Sequence, residues 1–442
     1  MGGVRGSRSR SGLAAGVCVL ALAASGSAAP AWAAEEESGA PGAASYRPAE
    51  DAVAVEGTAS TADAPYLEPG GIYTDSIEPG EELYYSVVLD DTGSYFASVV
   101  AAPEPGSAVA YGDGIAVQFH STGGDNCVAE QRSAFGSSVA ARPISAWSTR
   151  MIAEDRSCQT AGTYLLRVSR DSDEESDQAA WPTEIRVMRE PAVAGGQTAA
   201  PPESSWLTEV PTPPAGQARV VTGGTGFNDA QPVGEGVWRD DIAPGQTLFY
   251  RVPVDWHQQL AVTVELGNAP FAGQDYAYIG DGLLVEVYNP ARGEVTGFSR
   301  AYTGDPLRVQ EVLPPAAYDN RTDAPSTTAG TMRFAGWHYL AVHLKDDVAE
   351  LTEAGTIGLH LRISLEGEPA DGPVYEEDPR EAGFGVTEED RQQADEGKTD
   401  EAVAAEQRGG RVALGVGSIG AGAALLLALG LWTLLARRRR AR

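Results

Sequence analysis

Two segments of this 442-residue chain contain the same short blocks of sequence in the same order. The matching blocks are GIYTDSIEPG at 71–80 and GVWRDDIAPG at 236–245, LYYSV at 83–87 and LFYRV at 248–252, GDGIAV at 112–117 and GDGLLV at 280–285, and GTYLLRV at 162–168 and GWHYLAV at 336–342. Only the last pair needs an inserted residue. Four blocks in one order indicate a tandem duplication, so the chain is expected to contain two similar domains, at 66–190 and 221–366.

Apolar and polar positions alternate within both copies. Leu83, Tyr85 and Val87 occupy every second position of the first copy, and the LFYRV block repeats the pattern in the second. Alternation with β-branched and aromatic residues, broken by Pro-Gly and Gly-Asp-Gly turns, is typical of antiparallel strands with one buried face. The sequence therefore predicts an all-β protein made of two tandem antiparallel β-sandwiches of jelly-roll type.

One of these patterns resembles a known family. A strand led by a Pro-Gly turn, PGEELYYSVVL at 79–89 or PGQTLFYRVPV at 244–254, with a late GTYLLRV strand, is similar to the pre-peptidase C-terminal domain family. The resemblance covers both copies and implies small jelly-roll sandwiches of the kind appended to secreted bacterial proteins. It also implies a non-catalytic accessory or binding module, although no peptidase domain accompanies the two copies here.

The C-terminal part of the chain predicts a membrane anchor. Residues 412–435 are apolar and uncharged, and four consecutive arginines follow at 437–440. About 20 apolar residues are enough for a helix to cross a bilayer. A basic cluster keeps its own end in the cytoplasm. We therefore expect a transmembrane helix at 411–436 and a short basic cytoplasmic tail at 437–442.

The N-terminal part predicts export. Three arginines precede an apolar run at 12–24, which is followed by small residues that end at Ala33. This is the layout of a signal peptide, at 1–33, with cleavage after Ala33. A lipid anchor on Cys18 and an uncleaved N-terminal anchor are the alternatives. Together the two ends predict a single-pass protein of the cell membrane, with its N-terminus outside and its C-terminus in the cytoplasm.

Three further segments lack the pattern of strands. Residues 34–65 are rich in Ala, Glu, Ser, Thr and Gly, residues 191–220 are rich in Pro, and residues 367–410 are acidic and poor in apolar residues. Such compositions favour disorder or an extended chain. They are expected to be a flexible spacer, a linker between the sandwiches, and a disordered stalk or short solvated helix above the membrane.

The net charge narrows the classes of partner. The formal net charge is −30, from 62 acidic and 32 basic residues, so the surface is expected to repel nucleic acid.

Of three cysteines, Cys18 lies in the predicted signal peptide. Cys127 and Cys158 remain as a pair in an oxidising compartment, and they are expected to form a disulfide.

The sequence contains few candidates for chemistry. It has no HExxH, G-x-S-x-G, P-loop or C-x-x-C motif, so we expect no catalysis and no cofactor. Calcium is the one metal with a candidate site, because carboxylates crowd a turn after the GTYLLRV block and calcium prefers several oxygen ligands. The candidate ligands are Asp171, Asp173, Glu175 and Asp177. The EF-hand pattern is not met, and a solvated acidic loop is the alternative.

Binding is expected in the long loops of each copy, at about 121–161 and 291–335. Trp147, Tyr302 and Tyr318 are the aromatic residues that could contact a sugar or a protein there. The alternative is that these side chains fold back over the sandwich.

The favoured hypothesis is a non-enzymatic binding or scaffolding protein, anchored at the cell surface, with a protein or glycan partner outside the cell. One alternative is a subunit of an envelope complex for secretion or signalling that acts through its membrane helix. Small residues four apart, Gly417 with Ala421 and Ser418 with Gly422, favour weak self-association of that helix. A second alternative is an enzyme with an unrecognised site.

Overall fold

The structure is a computed structural model that describes residues 43–153, 156–196, 199–203, 205–269, 278–352 and 355–399. The predicted signal peptide, the membrane helix at 411–436 with its small-residue stripe, and the basic tail lie outside these residues. Within the described ranges, no helix is long and apolar enough to cross a membrane.

Strands make up most of the regular structure of the described residues. In chain order they are β1 (Val53–Ala54), β2 (Tyr66–Leu67), β3 (Ile72–Ile77), β4 (Glu82–Leu89), β5 (Ser94–Ala101), β6 (Gly114–Ser121), β7 (Gln131–Ala134), β8 (Ile144–Arg150), β9 (Gly162–Asp171), β10 (Trp181–Glu190), β11 (Arg219–Val220), β12 (Gln231–Pro232), β13 (Gly236–Ile242), β14 (Thr247–Val254), β15 (Gln259–Leu266), β16 (Ile279–Tyr288), β17 (Glu294–Tyr302), β18 (Leu307–Val312), β19 (Gly336–Leu344) and β20 (Ile357–Glu366). The helices are α1 (Thr327–Thr331) and α2 (Glu388–Glu396), with short 3-10 turns at Gly136–Ser138, Ala194–Gly196, Tyr318–Arg321, Asp346–Glu350 and Pro379–Ala382.

Strands β1 to β10 form the first sandwich. Its two sheets have the strand orders β1-β3-β10-β5-β8 and β2-β4-β9-β6-β7. The two-residue edge strands β1 and β2 pair in parallel with β3 and β4, and the other neighbours are antiparallel. Without these edges, eight strands remain in the order of a jelly roll. Leu83, Val99 and Ile185 are among the side chains from both sheets that meet in its core.

Strands β11 to β20 form the second sandwich in the same order. Its sheets are β11-β13-β20-β15-β18 and β12-β14-β19-β16-β17, so each strand has the place of the strand ten numbers earlier. Its core contains Leu248, Val264 and Leu361. The prediction of two β-sandwiches of jelly-roll type is confirmed, and the shared strand order agrees with the matching sequence blocks.

The Pro-Gly blocks lie at matching turns, between β3 and β4 and between β13 and β14. Gly80 and Gly245 have φ angles of +71° and +79° there. This left-handed conformation is accessible to glycine without the steric cost that a Cβ would add. The backbone conformation of these two turns therefore explains why each Pro-Gly block contains a glycine.

The two sandwiches pack against each other through one sheet of each. Val100 on β5 lies in one apolar cluster with Phe249 on β14, Tyr288 on β16 and Tyr339 on β19. As a result β5 is buried at every residue but its first. The expectation of one buried face per strand is wrong for these inner strands, because their outer faces cover the other sandwich.

The expected acidic stalk at 367–410 also differs from the structure. Its described part, 367–399, runs back along both sandwiches. Phe384 is buried, and α2 contacts β12 and β14. Arg189 pairs with Glu377 of this segment. The expectation of a disordered stalk is therefore wrong for the described part, whereas α2 agrees with the short helix that was the alternative.

The expected spacer at 34–65 and linker at 191–220 make contacts as well. In the described part of the spacer, β1 pairs with β3, and the Tyr46 ring packs edge-on to Phe249 with centroids 6.2 Å apart. In the linker, β11 pairs with β13. A polar composition did not exclude order here, because each segment adds an edge strand to a sandwich.

Candidate functional site

The predicted disulfide is confirmed. Cys127 and Cys158 are bonded, with Cα atoms 5.2 Å apart. Cys127 lies in the loop after β6 and Cys158 in the loop before β9, and the Cys158 carbonyl accepts a 2.6 Å hydrogen bond from Arg150 Nε. The bond closes the long loop of the first sandwich on itself.

Three of the four candidate calcium ligands make contacts within the protein. Asp171 pairs with Arg132, and carboxylate oxygens of Asp173 and Asp177 accept backbone N–H groups two residues onward, at 2.9 Å. Asp113, in the nearby Gly-Asp-Gly turn, accepts the N–H of Asp173 at 2.7 Å. Within the ranges that the structure describes, no group of three or more Asp, Glu, His or Cys side chains could hold a metal ion.

Two of the three candidate contact aromatics are interior. Trp147, on β8, packs against Phe334 of the second sandwich. Gly293 lies so close to Trp147 that a Cβ at position 293 would be 2.4 Å from the indole ring. Tyr302 is fully buried and donates a 2.8 Å hydrogen bond to the Gly267 carbonyl. The prediction that Trp147 and Tyr302 contact an external partner is therefore corrected, because both side chains fold back into the protein. Tyr318 remains half-buried, with Arg321 4.2 Å above its ring.

A buried carboxylate is the centre of the contact between the sandwiches. Glu184, on the outer face of β10, is 1% exposed and pairs with Arg292 of the second sandwich. It also accepts hydrogen bonds from the Tyr46 hydroxyl at 3.2 Å, the Ala49 N–H at 2.7 Å and the Asn228 amide at 2.8 Å. Burial alone would lower the pKa of Arg292, but Tyr46 and Glu184 beside it raise the pKa overall.

Two further ion pairs cross the same interface. Arg142 of the first sandwich binds Glu286 on β16 with both an Nη2 contact of 2.8 Å and an Nε contact of 3.3 Å. Arg321 of the second sandwich binds Glu190 at the end of β10, which also accepts a 2.7 Å hydrogen bond from the Tyr375 hydroxyl. The partners are nine-tenths buried or more. Three arginine–glutamate pairs thus join the two sandwiches.

An aromatic cluster lies at one end of this interface. Phe96 on β5 contacts Phe334 of the second sandwich and Phe384 of the C-terminal segment, with ring centroids 4.9 and 5.7 Å apart. Trp147 stacks on Phe96 at 6.1 Å. Rings from both sandwiches and the C-terminal segment therefore pack in one place, and the three parts form one body.

Beside the Glu184 carboxylate the interface opens into a cleft of about 440 Å³. The first sandwich supplies Arg186 on β10 and Ile72 on β3, and the described part of the N-terminal spacer supplies residues 47–51. The second sandwich supplies apolar and cationic walls, which consist of Phe227, Arg251, Arg292, Trp337 and Tyr339. Thr399, the last residue that the structure describes, lies at its edge.

Arg186 differs from the paired arginines around it. Its guanidinium lies near the Tyr339 hydroxyl, and burial together with repulsion from Arg292 lowers its pKa against the attraction of Tyr339 and Glu184. Among the described residues, no ion pair joins Arg186 to a carboxylate. Arg251, across the cleft, lies 4.4 Å from the centroid of the Trp337 ring and donates to Gln393 at 3.3 Å. The described lining of the cleft therefore combines four arginines with the carboxylates of Glu50, Asp51 and Asp229, beside flat aromatic walls.

Apart from Trp147, none of these interface residues was among the sequence-based candidates. A signal was present: Glu184, Arg186 and Glu190 alternate in β10 with the core residues Ile185 and Val187. Charged residues on the outer face of a strand are usually solvated. Their pairing could not be read from the sequence, because the partners lie in the other sandwich.

No family model matches the chain, and no curated protein matches it. Among solved structures, the chain is similar to the pre-peptidase C-terminal domain of a Bacillus anthracis collagenase, at 16% identity over 28% of this chain and 94% of that one, with a TM-score of 0.18. It is similar to a tandem CBM22 domain of Paenibacillus barcinonensis at 12% identity, 69% and 100% coverage, and a TM-score of 0.18. It is also similar to the ANXUR2 extracellular domain of Arabidopsis thaliana at 8% identity, 68% and 85% coverage, and a TM-score of 0.17.

Proposed function

We propose that this chain is a non-enzymatic binding protein, exported and held at the cell membrane, whose two sandwiches act as one rigid body that presents the interface cleft to a partner outside the cell. The observation that carries the proposal is the cleft itself, set between sandwiches that buried ion pairs hold together. A pre-formed, concave site with apolar walls and a few convergent polar groups is the usual form of a binding site.

The lining of the cleft favours binding over catalysis. Its described residues include no His, Cys or Ser, and their carboxylates are those of Glu50, Asp51 and Asp229. The carboxylate of Asp229 is used locally, because it accepts the N–H groups of Thr225 and Gly226 at 3.1 and 2.7 Å. Cationic and aromatic groups instead supply electrostatic attraction and contact area.

Export and anchoring rest on the sequence and on the disulfide. Disulfides persist in oxidising compartments, which agrees with a signal peptide at 1–33. The segment 400–410 separates the cleft edge at Thr399 from the proposed membrane helix, and such a length reaches at most ~40 Å even when fully extended. The cleft would therefore lie close to the membrane surface, where an envelope component is the natural partner.

Surface location can be tested with the lysines of the chain, since Lys345 and Lys398 are the only two. Intact producing cells would be treated with a membrane-impermeant amine reagent, and modified peptides would be identified by mass spectrometry. We expect labelling at Lys398 without lysis, and none at that site in a Lys398→Arg control. Labelling only after lysis would contradict the proposal.

Binding at the cleft can be tested in the same cells by photo-crosslinking. A photoreactive amino acid would replace Ile72, at the cleft, or Asp305, an exposed residue of the loop between β17 and β18. We expect a discrete adduct from position 72 only. Equal adducts from both positions, or none from either, would contradict a binding role for the cleft.

A further inference from the structure

We propose that the cleft takes a small organic anion that carries a carboxylate beside a flat apolar body, with Arg186 as the group that binds the carboxylate. This inference rests on the proposed binding function and names the ligand class of the same cleft. It starts from a contrast between arginines at one interface.

Three arginines of the interface have a buried glutamate partner from the opposite sandwich. The pairs are Arg142 with Glu286, Arg292 with Glu184 and Arg321 with Glu190. Arg186 lies between Glu184 and Glu190 on the same face of β10, yet both glutamates are bound to other arginines. Among the described residues, the polar neighbours of the Arg186 guanidinium are the neutral Tyr339 hydroxyl and Glu184, whose carboxylate is already paired with Arg292.

Other buried arginines without a carboxylate do not resemble this case. Arg333 donates to the Gly330 carbonyl and to the Met151 sulfur, and it lies 5.5 Å from the centroid of the Trp147 ring. Arg170 donates to three backbone carbonyls and to a serine hydroxyl. The protein itself uses the donors of both side chains. Arg186 instead borders open volume.

The repulsion between Arg186 and Arg292 favours an anion beside Arg186. Glu50, Asp51 and Asp229 also line the cleft, so the attraction for an anion is local to Arg186. Arg292 lies close enough to Arg186 to lower its pKa by repulsion. An incoming negative charge would relieve that repulsion and replace the water that burial has removed from the guanidinium.

The shape of the site specifies a carboxylate on a flat body. A guanidinium presents its donors in a planar fork that matches the two oxygens of a carboxylate. Phe227, Trp337 and Tyr339 provide aromatic surface around it. A volume of about 440 Å³ is of small-molecule size. A ligand that places its carboxylate on Arg186 and its ring or apolar body against these side chains would use both features.

The test compares benzoate with benzamide, which share a ring and differ in charge, by calorimetric titration of the full-length chain. We expect benzoate to bind at least ~10-fold more tightly than benzamide and to bind more weakly as salt increases. Arg186→Met should reduce benzoate affinity at least ~10-fold, and Arg186→Lys should reduce it less, because it keeps the charge and loses the fork. Arg132→Gln, at an exposed ion pair outside the cleft, should bind benzoate as the parent does.

Thermal unfolding separates a ligand-binding arginine from a structural one. Without ligand, Arg186→Met should unfold at a higher temperature than the parent, because it removes a repelled, partly buried charge. Benzoate should raise the unfolding temperature of the parent and leave that of Arg186→Met unchanged. A lower unfolding temperature for Arg186→Met, or benzoate binding that survives the substitution, would overturn the role of Arg186.

Two outcomes overturn the ligand class. Equal binding of benzoate and benzamide would show that charge is not recognised, and tighter binding of inorganic phosphate than of benzoate would replace the carboxylate by another anion. If either occurs while the photo-crosslink at position 72 is still observed, the binding function stands and only the ligand class fails. If the crosslink is absent and benzoate still binds through Arg186, the proposal of a macromolecular partner is wrong and the ligand class stands.

Discussion

The Tyr85 hydroxyl donates a 2.8 Å hydrogen bond to Asp75 Oδ2, and Tyr250 makes the same 2.8 Å bond to Asp240 at the matching place of the second sandwich. In each copy a glycine N–H donates to the same oxygen at 2.7 Å. A Cβ on the first of these glycines, Gly57, would lie 2.7 Å from the Tyr85 ring. The duplication thus extends to a buried polar contact in each sandwich.

Removing the hydroxyls should destabilise the two copies unequally. Tyr85→Phe and Tyr250→Phe each leave a carboxylate with one donor fewer, and Asp240 is only 9% exposed while Asp75 is less buried. We expect losses in the free energy of unfolding of about 1 kcal/mol for Tyr85→Phe and about 2 kcal/mol for Tyr250→Phe. Denaturant unfolding of the full chain measures both, and a larger loss for Tyr85→Phe would contradict the explanation.

Glu184 and Arg292, the ion pair at the centre of the interface, should be strongly coupled in their effects on the free energy of unfolding. Arg292→Met leaves Glu184 buried without its ion-pair partner, so we expect it to cost about 3–5 kcal/mol in the free energy of unfolding. Adding Glu184→Gln should cost less than the sum of the two single changes. The exposed pair Arg132 and Asp171 is the control, with an expected coupling of about 0–1 kcal/mol. Additive effects at Glu184 and Arg292 would show that the pair does not join the sandwiches.

Phe384 should hold the C-terminal segment onto the sandwiches. Phe384→Ala removes the ring that contacts Phe96 and Phe334, a change of a kind that typically costs about 3–5 kcal/mol. Because the segment can detach locally, the clearest measurement is the rate of trypsin cleavage after Arg380, which should rise. Val374→Ala, at a side chain that is 68% exposed, should leave the rate unchanged. Rapid cleavage of the parent chain would mean that the segment is not held.

Acid should weaken the fold through a buried histidine of β19. Burial lowers the pKa of His338 to about 4. An unfolded histidine takes up a proton below about pH 6.5. The free energy of unfolding should therefore fall as pH decreases from about 6.5 to 4, by up to ~1.4 kcal/mol per pH unit from this group. His338→Gln should reduce that slope, measured by denaturant unfolding across this window. The exposed His257→Gln is the control, and an equal reduction in both variants would refute the assignment.

The local pattern of the chain was enough to predict the strands and the fold of each copy. The alternation of apolar and polar residues in β4 and β14 depends only on neighbours in the sequence, and so do the turns at Gly80 and Gly245. Each sequence block therefore indicates its own strand or turn. The disulfide was also predictable, because Cys127 and Cys158 were the only candidates outside the predicted signal peptide.

The interface and the cleft were decided by the tertiary structure. Glu184 and Arg292 are 108 residues apart, and nothing local in β10 or in the turn between β16 and β17 indicates that they meet. The same holds for Trp147 and Phe334, whose contact makes Trp147 an interior side chain and not an exposed one. The acidic segment that composition assigned to a stalk packs through one phenylalanine and a few paired charges. Sequence by itself determined what each sandwich buries within itself, because that burial follows a local period. Only the tertiary structure decided which outer faces meet and that Arg186 borders the cleft, because those depend on how two finished sandwiches pack.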